Sequence, residues 1–116
     1  MNFWDYEYLN IPINSNGVCE LNGNSDLEWK DVFSIKLTRN DVENMSNLIN
    51  DFNSTFDILI DLSEEERLEN ENLKSALAIA EKHHAIAPNE IRPSLQKVIV
   101  AITKAIEFNT FVEFDL

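Results

Sequence analysis

VFSIKLTRNDVENMSNLINDFNSTFDILIDL, residues 32–62, decides how this chain folds. Its first six residues are largely β-branched or aromatic, and Phe33, Ile35 and Leu37 share one face of an extended chain, which predicts a strand. Thr38, Asn40 and Asp41 then offer side-chain oxygens to the free amides of a starting helix, and Asp41 and Glu43 suit its positive end. Val42, Met45, Ile49, Phe52 and Phe56 recur every three or four residues, a stripe that must face a core. Phe56 to Leu62 is a compact apolar run bounded by acids, short enough for a buried strand. Strand, helix and strand in this order fit a parallel crossover unit.

Working upstream, Tyr6 to Ile11 partly alternates and reads as a first strand ending near Pro12. Between Gly17 and Gly23, in a stretch with Asn14, Asn16, Asn22 and Asn24, Val18 to Asn22 reads as a short strand flanked by turns. Downstream, Ser63-Glu64-Glu65-Glu66 has the spacing of a capping box and predicts a helix start. That helix shows an apolar face at Leu73, Ala76, Leu77, Ala80 and Ala87, is polar almost all round over 64–72, and stops near Pro88. A last helix over 93–107 carries Leu95, Val98, Ile99, Ile102 and Ile106, with Val100 and Ala101 widening the arc, so it should be the most buried element. Pro93 suits its first turn and Asn109 its exit. Thr110 to Leu116 alternates as a half-buried strand, whose free edge could pair with a second copy. The expected fold is α+β: one domain over 1–116, a small mixed sheet of four to five strands and three main helices, in the order β-β-β-α-β-α-α-β.

A chain of 116 residues can bury about two thirds of its unfolded surface behind one core. Its 44% hydrophobic and 26% charged residues lie in the globular range, which argues against disorder despite a net charge of −12. That charge is unevenly spread. Over 57–71, seven acids (Asp57, Asp61, Glu64, Glu65, Glu66, Glu69 and Glu71) face Arg67 alone, leaving −6, whereas five bases against two acids over 72–106 leave +3. A surface of this kind repels nucleic acid and anionic membrane and speeds encounter with cationic proteins. The plainer alternative is a solvated face that keeps the protein soluble.

Signatures of common enzymes are missing. With glycine only at 17 and 23, the chain has no phosphate-cradling loop, dinucleotide fingerprint or nucleophile elbow. Cys19, the single cysteine, could act as a nucleophile with His83 or His84, but such a residue is more often a small buried apolar one. Glu81 and His84 have the spacing of half a di-iron site, and the second half is lacking. Paired carboxylates abound without marking a site. No catalytic, cofactor-binding or metal-binding residue is assigned, and no cofactor is expected. One cysteine, and an N-terminus with acids where a secretion signal needs bases, point to the cytoplasm. Phe3, Trp4, Tyr6 and Tyr8 cluster near the N-terminus, where such rings serve either a core or an interface.

Ala80-Glu81-Lys82-His83-His84, the run from Ala87 to Pro93, and the final helix leading to Phe111-Val112-Glu113-Phe114-Asp115-Leu116 resemble the bacterial immunity proteins of contact-dependent growth inhibition and related polymorphic toxins. The resemblance is of type: small size, acidity, abundant asparagine and a mixed layout. It implies a neutraliser that binds a cognate toxin domain, often a nuclease, and blocks its active site or an essential surface. The expected partner is thus a basic toxin domain, met by Asp61, Glu64, Glu65, Glu66, Glu69 and Glu71 with Trp4, Tyr6 and Tyr8 as aromatic anchors. Neither direct nucleic-acid nor membrane binding is expected, and the free protein would be a monomer or homodimer. A different protein-binding module, such as an adaptor or secretion chaperone, would instead show a free apolar groove. A small enzyme is the third possibility, and would lose turnover on Cys19→Ala or His84→Ala.

Overall fold

The computed structural model describes residues 7–23 and 29–116. Strand β1 (Glu7–Pro12) is followed by helix α1 (Ser15–Leu21), strand β2 (Val32–Leu37), helices α2 (Arg39–Asn44) and α3 (Ser46–Phe56), strand β3 (Glu65–Leu68), helices α4 (Leu73–Ile86) and α5 (Arg92–Phe108), and strand β4 (Val112–Asp115). The strands form one sheet in the order β2-β1-β4-β3. Every pairing is antiparallel: Leu9 lies opposite Ile35 on one side and Phe114 on the other, and Leu68 lies opposite Val112.

Side-chain alternation decides which face is covered. Leu9 and Ile11 of β1, Leu37 of β2, Leu68 of β3 and Val112 and Phe114 of β4 are fully buried, together with Met45, Phe52, Ala76, Ala80, Val98, Ala101, Ile102 and Ala105 of the helices. Phe52 meets Phe114 edge to face, with ring centroids 6.4 Å apart. The result is an α+β arrangement in which helices α3 to α5 supply the core packed on one face of an antiparallel sheet, while the end of α1 meets Arg67 of the other face.

Local signals hold at several ends. Thr38 and Asp41 form a reciprocal cap: Thr38 Oγ1 accepts from the Asp41 amide at 3.1 Å, and Asp41 Oδ2 accepts from the Thr38 amide at 3.0 Å. Pro93 sits in the first turn of α5, and Asn109 closes that helix in the left-handed region (φ 57°). The Thr110 hydroxyl then donates to the Pro12 carbonyl at 2.6 Å, fastening the entry of β4 beside β1.

Elsewhere the expectations need correction. The single helix expected from 41 onward breaks at Met45, where the weak helix formers Asn44 and Ser46 flank a fully buried side chain. Residues 18–22, expected as a strand, lie in or just after α1, because Asn14 acts as its cap and accepts from the Gly17 amide at 3.1 Å. Gly17 is needed there: a Cβ would run into the Asp31 carbonyl oxygen. The Glu20 carboxylate holds the same neighbouring segment, accepting from the Lys30 and Asp31 amides at 3.0 and 2.9 Å.

No strand forms at 56–62. Asp57 turns left-handed (φ 54°) and ends α3, and Asn53 supplies the hydrogen bonds a neighbouring strand would have made. Its amide donates to the Ile60 carbonyl at 3.1 Å, and its Oδ1 accepts from the Ile60 amide at 2.7 Å. No helix starts at Ser63, which is itself left-handed (φ 64°); Glu65–Leu68 pairs with β4 instead, and α4 begins only after a single 3₁₀ turn at Asn70–Asn72. Among the described residues there is accordingly no parallel crossover and no mixed sheet, and the helices number five, not three. The C-terminal strand lies between β1 and β3, so among the described strands the free edges belong to β2 and β3.

Candidate functional site

On its way from α3 to β3, the chain over 57–62 passes the start of β1 and leaves a cleft of about 280 Å³ against α2 and α3. Val42, Ile49 and Ile60 give it apolar walls, Arg39, Glu43 and Asp61 stand around it, and Ser46, Asn50, Leu62 and Leu116 also line it. Glu7 lines it too. Two and four residues before Leu9 and Ile11, Glu7 has the core-facing parity of β1 and only 8% of its surface is exposed. Its Oε2 is fully covered and has no hydrogen-bond partner. Arg39 lines the same cleft but forms no ion pair with Glu7. A covered carboxylate oxygen without a donor is costly, and such groups are rare in native structures.

The acids expected to face a partner do not crown a helix. Asp61 is exposed on the segment before β3, and Glu64 and Glu65 are exposed at the start of that edge strand. Leu59 and Leu62, 56% and 53% exposed, stand among them. Asn53 pins this segment through Ile60, so the exposed residues on either side of Ile60 are displayed by a tethered backbone. Glu66 is set apart: its carboxylate accepts from the Leu59 amide at 3.1 Å and the Arg67 amide at 3.0 Å, and serves the loop itself. Glu69 and Glu71 are exposed beyond the other end of β3, at the 3₁₀ turn. Tyr8 is half-buried, and its parity puts it on the opposite face of β1 from Glu7, away from the cleft. Trp4 and Tyr6 lie outside the described residues.

Four further acids are perturbed by their surroundings, among them Asp51, which its hydrogen bond with His83 holds below the ordinary value. For Asp41, burial works upward but is outweighed by the Lys97 ammonium at 2.7 Å, the Thr38 amide and the Ser94 hydroxyl at 2.7 Å, which bring the pKa from 3.8 down to about 2. Burial pushes Glu113 up, with further help from Glu65 and against the pull of Arg67 at 3.7 Å. Burial and Glu65 raise Asp115 likewise. By register Glu65, Glu113 and Asp115 share the sheet face away from the core, where repulsion among carboxylates adds to desolvation.

The residues considered for chemistry are dispersed among other tasks. Cys19 is exposed on α1, not buried as expected. His83 Nε2 lies 2.8 Å from Asp51 Oδ2 and links α4 to α3. Among the described residues, no group of three or more His, Cys, Asp or Glu side chains could hold a metal ion, and no helix is long and apolar enough to cross a membrane. Set against protein-family models, curated proteins and solved structures, the chain matches none of them.

Sequence reasoning missed Glu7. The signal was there: an acid at the parity of Leu9 and Ile11 is a charge assigned to a core position, which calls for a partner or a function.

Proposed function

We propose that this chain is a non-catalytic immunity-type protein that neutralises a basic toxin domain, of the nuclease kind, by covering its cationic active-site or substrate-binding surface. One observation carries the reading: Asp61, Glu64 and Glu65 are displayed with the exposed Leu59 and Leu62 along a tethered loop and an edge strand. Binding surfaces commonly combine apolar anchors, which supply energy, with charged surroundings, which set encounter rate and exclude wrong partners. Lysines and arginines that hold phosphates are the natural counterpart of such a face. The protein acts in the cytoplasm as a monomer or homodimer until its partner arrives, needs no cofactor, and keeps Cys19 as a thiol.

The test is co-expression with the product of the neighbouring gene. That product alone should stop growth, and this chain should restore it. Changing Asp61, Glu64 and Glu65 together to lysine should abolish protection and slow association by at least about tenfold at low salt. A harmless neighbour, or full protection by the reversed variant, removes the reading.

A second reading, an adaptor or chaperone-like module, is favoured by Ile86. This side chain, 81% exposed, borders a recess lined by Leu48, Ala87, Pro88, Ile91 and Leu95. Ile86→Ser would abolish binding by such a module, whereas charge reversal at β3 would leave it intact.

A further inference from the structure

We infer that the Glu7 cleft receives one lysine side chain of the protein partner, with the ammonium donating to Glu7 Oε2. This rests on the partner reading above and assigns the pocket into which that partner reaches.

The unpaired oxygen is the first ground. Glu7 is more than nine-tenths buried, lines the cleft and leaves Oε2 without a donor, so the missing element is a hydrogen-bond donor brought from outside. Charge is the second: Glu7, Glu43 and Asp61 against Arg39 leave the lining acidic, which favours a cation over an anion. Shape is the third. A cleft of about 280 Å³ is at the small end for ligand sites, and Val42, Ile49 and Ile60 match the methylene stem of lysine, which packs along apolar surface while its head group finds a carboxylate. One orphan oxygen calls for a compact point donor more than for the planar fork of arginine. Three-carboxylate metal capture is not the alternative, since no such group among the described residues could hold an ion.

Continuity identifies the source. Asp61 and Leu62 line the cleft and also belong to the exposed face formed with Leu59, Glu64 and Glu65. A partner seated on that face therefore has the cleft entrance beneath it, and a lysine projecting from its surface can enter there, reaching the covered Oε2 as the side chains over it move aside.

The experiment needs no toxin. Isotope-labelled protein is titrated with Nα-acetyl-lysine methylamide and, separately, with its norleucine counterpart, which keeps the stem and lacks the ammonium. Backbone amide shifts at Ile60, Asp61, Leu62 and Tyr8 are followed by NMR. The lysine derivative should give saturable shifts confined to the cleft, the norleucine derivative none, and Glu7→Gln should weaken the lysine response at least about tenfold, as expected for loss of a charge-assisted bond. Ser46→Phe, which narrows the cleft while keeping Glu7, should abolish the response and decides the matter if Glu7→Gln does not fold. Absent shifts, equal shifts with norleucine, or an unaltered response in either folded variant overturns the inference. Because neutralisation of the toxin is read by growth, that reading and this one can fail separately.

Discussion

Asp41 and Glu7 are both buried acids near the same corner of the molecule: Glu7 lies opposite Leu37 in the sheet, and Asp41 opens the helix that follows Leu37. Asp41 accepts from the Ser94 hydroxyl on one oxygen, and from the Thr38 amide and Lys97 ammonium on the other. Asn44 in turn donates to Ser94, so the network ties α2 to α5. Glu7 is buried to a similar degree, yet its Oε2 has no donor. The contrast separates two uses of a buried charge. Where both oxygens are engaged within the chain, the carboxylate organises the fold; where one is left without a donor beside a cleft, it is set for something that arrives later.

That contrast can be broken most directly at Asp41. Asp41→Ala removes the helix cap and the carboxylate that Ser94 and Lys97 donate to, and should lower unfolding free energy by about 3 kcal/mol in urea titrations. A loss well under 1 kcal/mol would mean that the network does not organise the fold.

Acid titration is next in size. The folded pKa of Asp41 is about 2 against an ordinary 3.8, so its contribution is fully present above about pH 5 and disappears as pH falls through the ordinary value toward 2. The stability lost should be roughly 2 kcal/mol, and the loss should be absent in Asp41→Asn. Glu113 and Asp115 act with the opposite sign: their raised values mean that the native state holds protons more tightly than the unfolded chain. They favour folding in acid and oppose it once both carboxyls are ionised. In Glu113→Gln the loss of stability as pH rises through the carboxylate range should be smaller, as read by urea titrations at stepped pH.

The smallest stability effect is expected at Glu7. Glu7→Gln removes a desolvated carboxylate but keeps a polar amide at the same place, so it should change stability by no more than about 1 kcal/mol, in the stabilising direction. A substantial loss would show that Glu7 is held by the fold as Asp41 is, and would remove the distinction.

Much of the architecture is legible from local chemistry. β1, β2, α5 and β4 follow from alternation, from β-branched and aromatic content and from a wide apolar arc bounded by Pro93 and Asn109. The misread segments carry equally good local signals. Asn14 and Asn16 read as turn residues because asparagine serves turns and helix caps alike, and Asn14 is used as a cap. Ser63 to Glu66 has capping-box spacing, yet strand pairing prevails: the Glu64 carbonyl accepts from the Leu116 amide at 3.3 Å, and Glu65 to Leu68 pair with β4, more backbone bonds than one cap provides. The acidic character of the candidate face is evident from composition, but not that it belongs to a sheet edge and a loop, since that depends on partners more than forty residues away.

What the sequence determined alone is which residues point inward and where several helices begin and end, because side-chain periodicity and terminal amides act over one or two turns of chain. What only the tertiary structure decided is the fate of residues 56–72 and the meaning of Glu7. An apolar run becomes a strand only if another strand meets its backbone. Likewise, a buried carboxylate is satisfied only if distant elements bring it a donor: Asp41 receives two from α5, and Glu7 Oε2 receives none.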